Sequence, residues 1–95
     1  MSGEALHVAD GDSFEIDFNE RSPAGYIWRL ERPVEGIELL GSRLTLPPAG
    51  RIGASGTRQF QVRATGPGMY RLVFQLRREW ETELIERRTV QVEVT

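Results

Sequence analysis

Strict alternation of apolar and polar residues, broken at short intervals by Gly and Pro, constrains this chain more than any other feature. Phe14, Ile16 and Phe18 alternate with polar neighbours, and so do Tyr26, Trp28 and Leu30. The pattern returns at Phe60, Val62 and Ala64, then at Tyr70, Leu72, Phe74 and Leu76, and last at Val90, Val92 and Val94. A period of two places each set on one face of a half-buried strand. Turn signals separate the runs: Asp10-Gly-Asp12, Pro23-Ala-Gly25, Pro47-Pro-Ala-Gly50, Gly53-Ala-Ser-Gly56 and Gly66-Pro-Gly68. Strands are expected near 5–9, 13–19, 26–31, 37–46, 57–64, 68–77 and 85–95. Ile37 to Leu46 also suits two short strands joined at Gly41. No window of helical length keeps a 3.6-residue period free of Gly or Pro.

About seven short strands in 95 residues predict an all-β, immunoglobulin-like sandwich spanning 1–95 as one domain. Trp28 on the third strand is placed to fill the space between the sheets. There is no cysteine, so neither a disulfide nor a thiolate metal site supports the fold, and the core alone must stabilise it. In this architecture the loops after strands two, four and six gather at one end. Those loops are RSPAG, the PPAGRIGASG segment and the RREWETE turn.

Charge excludes several partners. Twelve basic and 14 acidic residues give a net charge of -2 and are mixed along the chain, which leaves no footprint for nucleic acid or an anionic membrane. Every basic residue is arginine, a composition bias before it is an interface preference. No apolar run approaches the ~18 residues of a membrane span, and MSGEALHVAD lacks the n- and h-regions of a signal peptide. The chain as given is expected to be soluble.

Chemistry-bearing groups are sparse. His7 is the single histidine, expected at the surface of an edge strand near Asp10, Asp12 and Ser13. A Ser-His-Asp relay needs base, nucleophile and oxyanion donors in one sheltered place, and nothing like a nucleophile elbow surrounds Ser13, Ser22, Ser42 or Ser55. Asp10-Gly-Asp12 reads as a tight turn, without the spacing of a calcium loop. Glu79, Glu81 and Glu83 would share a face of an extended segment. They read as a solvated face near Arg77, Arg78 and Arg87, with cation binding as the lesser alternative. Gly53-Ala-Ser-Gly56 lacks the Lys-Ser/Thr and the helix of a phosphate loop, and Gly66-Pro-Gly68 reads as a hairpin turn. No cofactor and no metal are expected.

Trp80 breaks the pattern. It stands in RREWETE, where the alternation of the sixth strand has ended at Leu76 and charges flank it on both sides. Two readings are open: the indole folds back to cap the core, or it is an exposed anchor beside arginine, of the kind enriched among interface hot spots.

A Pro/Gly turn before Tyr-x-Trp, a glycine-rich loop before a strand, and Arg-x-Trp follow one another along the chain. In that order they resemble the chagasin-like inhibitors of papain-family cysteine proteases, over nearly the whole chain. The family's first motif, Asn-Pro-Thr-Thr-Gly-Tyr/Phe-x-Trp, is similar to Arg21-Ser22-Pro23-Ala24-Gly25-Tyr26, with Trp28 in place. Its Gly-x-Gly-Gly resembles Gly53-Ala54-Ser55-Gly56, and its Arg-Pro-Trp resembles Arg78-Glu79-Trp80. Arg21 replaces the Asn, Pro23 and Ala24 the threonines, Ser55 one glycine and Glu79 the motif proline.

The resemblance implies a reversible, non-covalent inhibitor of papain-like cysteine proteases. Its first loop would lie across the catalytic cysteine and histidine, and the other two would grip the cleft on either side. It implies no enzymatic activity, a protease partner and a monomeric inhibitor. Physically, Gly25 permits a sharp turn and Pro23 stiffens the loop before it binds. The substitutions at Arg21, Pro23, Ala24 and Glu79 favour a second reading, a non-inhibitory recognition module that binds another protein or peptide through the same loops. A structural domain assembling through strand edges is a third.

Overall fold

A computed structural model describes residues 3–20, 25–46 and 56–95, with side-chain surroundings from Ala5 onward. Seven strands follow one another: β1 (Gly3–Val8), β2 (Ser13–Glu20), β3 (Tyr26–Leu30), β4 (Ile37–Thr45), β5 (Gly56–Ala64), β6 (Gly68–Arg78) and β7 (Glu86–Val94). Each stands within about two residues of its expected place, because alternation and Gly/Pro punctuation are both local signals. The strands form two sheets, ordered β1-β7-β6-β3 and β2-β5-β4. All pairings are antiparallel except β1 with β7. The architecture is the immunoglobulin-like sandwich that the alternation predicts, without a disulfide.

The alternating residues are the core. Ile16, Phe18, Phe60, Val62 and Ala64 of one sheet face Trp28, Leu72, Phe74, Leu76, Val90, Val92 and Val94 of the other, all buried. Phe18 stacks on Trp28 with ring centroids 4.7 Å apart, and Phe74 lies 4.9 Å from Phe18 and 4.8 Å from Phe60. Aromatic contacts of this kind contribute about 0.5–1.5 kcal/mol each beyond area burial, and they run across the sandwich rather than along one sheet.

β4 is one strand, not two. Its register with β5 shifts between Leu39 and Gly41, so the break read at Gly41 is a bulge. The extra residue, Leu40, is 47% exposed, which an edge strand tolerates.

The loops joining β1 to β2, β3 to β4 and β5 to β6 close one end. The amide of Gly11 donates to the carbonyl of Ala64, and that of Thr65 to Gly36. Tyr70, near the start of β6, turns back so that its hydroxyl donates to the carbonyl of Gly66 at 2.8 Å, the tyrosine corner of immunoglobulin-like sandwiches. Its ring lies so close to Gly36 that a Cβ there would stand 2.3 Å from the phenol oxygen. His7 is exposed on the edge strand β1, where its Nε2 lies 3.1 Å from the Thr95 hydroxyl. Asp10-Gly-Asp12 is a tight turn: Gly11 has φ 89° and the Asp12 carboxylate accepts the Ala9 amide.

Candidate functional site

The roots of the loops singled out in the sequence stand at the other end of the sandwich. Register fixes this: Glu20 pairs with Gly56, Thr45 with Thr57 and Tyr26 with Arg78. The roots of the first, second and third loops therefore stand at the same level. Of the expected contact residues, Arg21, Ser22, Pro23 and Ala24, and likewise Gly53, Ala54 and Ser55, lie outside the described residues. Gly25, Tyr26, Gly56, Arg78, Glu79 and Trp80 lie within them.

Four of those six meet. The Arg78 guanidinium lies over the Tyr26 ring, 4.5 Å from its centroid, and 5.9 Å from the centroid of Trp80. Trp80 in turn lies against Gly25, which turns with φ 82°. The order Tyr26, Arg78, Trp80, Gly25 thus ties the end of the first loop to the third. Cation–π contacts of this kind contribute about 0.5–1 kcal/mol each at exposed sites. Trp80 remains 74% exposed. Of its two readings, the structure has the exposed aromatic beside arginine; the indole does not cap the core. Trp28, by contrast, is 3% exposed and donates from Nε1 to the Asn19 carbonyl at 2.7 Å.

The third loop is braced by arginine. Arg77 Nη1 donates to the carbonyls of Glu81 at 2.6 Å and Arg78 at 3.3 Å. The amide of Glu81 returns to the Arg78 carbonyl and that of Ile85 to Leu76. Glu79 is ion-paired with Arg29 of β3, and Glu81 lies 3.3 Å from Arg78. Glu79 and Glu81 are thus each paired with an arginine. No group of three metal-ligating side chains occurs among the described residues. Gly56 is buried, and a Cβ on it would stand 3.0 Å from both Leu44 Cδ1 and the Thr45 carbonyl, so the second loop enters β5 through a close approach of backbones.

Sequence reasoning passed over Glu20 and Arg58. Glu20 is completely buried, and Arg58 donates to it from Nε at 3.0 Å and Nη2 at 2.8 Å. A signal was present: Glu20 continues the inward phase of Phe14, Ile16 and Phe18, and Arg58 shares that phase with Phe60. A charge at an inward position needs a partner, so the phase marks Glu20 and Arg58 as residues to be paired without saying with what. A cleft of about 780 Å³ is lined by Asp17 and Asn19 of β2, Tyr26 and Trp28 of β3, and Glu86 and Arg88 of β7. Glu86 and Arg88 pair with each other there.

The fold and the cluster define a class: an immunoglobulin-like sandwich that presents an arginine-flanked aromatic beside loops at one end. Within that class the chain is placed by its sequence. Residues 7–94 match the chagasin family peptidase inhibitor I42, and the chain belongs to that family. Among solved structures it is similar to the cysteine protease inhibitor EhICP2 from Entamoeba histolytica. The identity is 22% over 99% of this chain and 88% of that one, with a TM-score of 0.83. It is similar also to amebosin, at 22% identity over 96% of this chain and 88% of that one, with a TM-score of 0.74. No curated protein matches the sequence. The family is one of inhibitors rather than enzymes, and it implies a cysteine protease as partner.

Proposed function

We propose that this protein is a reversible, non-covalent inhibitor of papain-like cysteine proteases, acting as a monomeric single domain over 1–95. Its first loop, Arg21–Tyr26, crosses the catalytic centre of the protease. The second, Gly53–Gly56, and the third, Arg78–Trp80, grip the cleft on either side. The observation that carries this reading is Trp80, exposed at the loop end and already seated between Arg78 and Gly25. A large aromatic held in place before binding loses little conformational freedom on docking. No group of the inhibitor attacks the enzyme, so occupancy alone blocks substrate. Neither nucleic acid nor membrane takes part.

The test is steady-state inhibition of papain and of a cathepsin L-type enzyme, titrated to micromolar. Inhibition that reverses on dilution and weakens in Trp80→Ala supports the plug. A well-folded protein that leaves both enzymes active supports the second reading, a recognition module with another protein target. The replacements at Arg21, Pro23, Ala24 and Glu79 favour that reading.

A further inference from the structure

We propose that buried Glu20 and its half-buried partner Arg58 form a positioning device that fixes the roots of the first and second loops relative to each other. It acts on partner binding through that spacing and makes no contact with the partner itself. This inference rests on the inhibitory reading above.

Glu20 is the last residue of β2, directly before the first loop, and is 0% exposed. Its Oε1 accepts the backbone amide of Trp28 at 2.8 Å and Arg58 Nε at 3.0 Å, while Oε2 accepts Arg58 Nη2 at 2.8 Å. Trp28 stands three residues beyond Gly25, where the first loop ends. Arg58 stands two beyond Gly56, where the second loop ends. One carboxylate therefore holds both roots of the first loop and one root of the second. Because Trp28 belongs to the opposite sheet, it also ties the two sheets together at this end. The Asn19 carbonyl, one residue earlier, is held by the Trp28 indole.

Stability alone does not explain two charges at inward positions. Apolar residues of similar volume commonly stabilise a fold as well as a buried ion pair does, or better. What an apolar pair lacks is direction. A guanidinium fork on a carboxylate accepts essentially one planar arrangement, and errors of about 1 Å in a supporting shell are enough to spoil a binding site. The pair stands where such an error would be passed on to Gly25 and Gly56, at which the two loops end.

The test is the double variant Glu20→Gln/Arg58→Met. Glutamine keeps an oxygen for the Trp28 amide, and methionine fills the arginine's volume without charge or fork. Three quantities are measured against wild type: the melting midpoint, inhibition of papain, and the NMR amide signals of Gly25 and Gly56, with Gly11 and Gly68 as references at the opposite end. The expected result is a folded protein with a lowered midpoint, since the glutamine amide nitrogen is left buried without a partner. Inhibition should be weaker by about tenfold, ~1.4 kcal/mol, with the Gly25 and Gly56 signals moved and the reference signals unmoved. Full inhibition by the folded double variant, or unmoved Gly25 and Gly56 signals, overturns the proposal. If the double variant does not fold, Arg58→Lys decides in its place: it keeps the charge and loses the fork, so undiminished inhibition overturns the proposal and a tenfold loss upholds it. If the wild-type protein does not inhibit papain, the inhibitory reading falls separately, and the amide signals alone decide whether the pair positions the loops.

Discussion

A Cβ placed on Gly25 would stand 2.8 Å from Cη2 of Trp80, inside any permitted contact. Residue 25 therefore sets the position of residue 80 by having no side chain, although 55 positions separate them in sequence. Glycine suits that position twice, leaving room for the indole where it now lies and adopting a φ of 82° without strain. The first and third loops are thus built against each other, and substitutions at their contact should affect binding more than folding.

Trp80→Ala should leave the fold intact, because the indole is exposed and outside the core. Binding should weaken about thirtyfold, ~2 kcal/mol, as expected when an aromatic anchor is truncated. Paired thermal melts and inhibition constants check this. An unfolded variant would mean that the indole supports the core after all.

Gly25→Ala and Gly11→Ala form a matched pair. Both residues have positive φ, but nothing lies within 4 Å of a Cβ on Gly11. Each should lose about 1–2 kcal/mol to left-handed backbone, a fall of roughly 4–8 °C in melting midpoint per kcal/mol. Only Gly25→Ala should also weaken inhibition, by about tenfold, since only there must the indole move. Equal inhibition by the two variants would break the proposed coupling of the loops.

Arg77→Leu removes the guanidinium that holds the Glu81 and Arg78 carbonyls. Hydrogen bonds to charged groups contribute about 1.5–3 kcal/mol, here to one turn rather than to the whole sandwich. Amide exchange at Glu81 and Ile85 should quicken and inhibition should weaken, while exchange at Val92 stays slow. Unchanged exchange at Glu81 would show that the turn holds itself.

Trp28→Ala should cost about 3–5 kcal/mol, as a large aromatic truncation in a packed core. The change deletes the stack on Phe18 and the bond to the Asn19 carbonyl. Against a typical total of about 5–15 kcal/mol, denaturant unfolding will read this as a large loss. A change below about 1 kcal/mol would contradict the packing described.

Tyr70→Phe deletes the hydroxyl that bonds the Gly66 carbonyl at the end away from the loops. A loss of about 1 kcal/mol is expected, with inhibition unchanged. Weakened inhibition in a folded Tyr70→Phe protein would show that the two ends of the sandwich are coupled.

Much of the molecule was legible in the sequence, and the reason is locality. Alternation such as Tyr70-x-Leu72-x-Phe74-x-Leu76 assigns strand and inner face without knowledge of any partner, since a strand's side-chain period is two wherever it pairs. Gly and Pro mark the turns for equally local reasons. Strand number, the sandwich, the buried Trp28 and the loops at one end all follow from those signals. The three motifs that resemble the chagasin family pointed to the family to which residues 7–94 belong.

The remaining features depend on residues far apart in sequence. The seating of Trp80 on Gly25, the docking of Arg78 on Tyr26 and the pairing of Glu20 with Arg58 were not legible as contacts. Each requires two strands to be brought to one level by a register that no local pattern encodes. Local alternation was enough to assign the inward faces. Which charges meet there, and which aromatic stays in water, was settled by the closing of the sheets on each other, because pairing energies are realised only then.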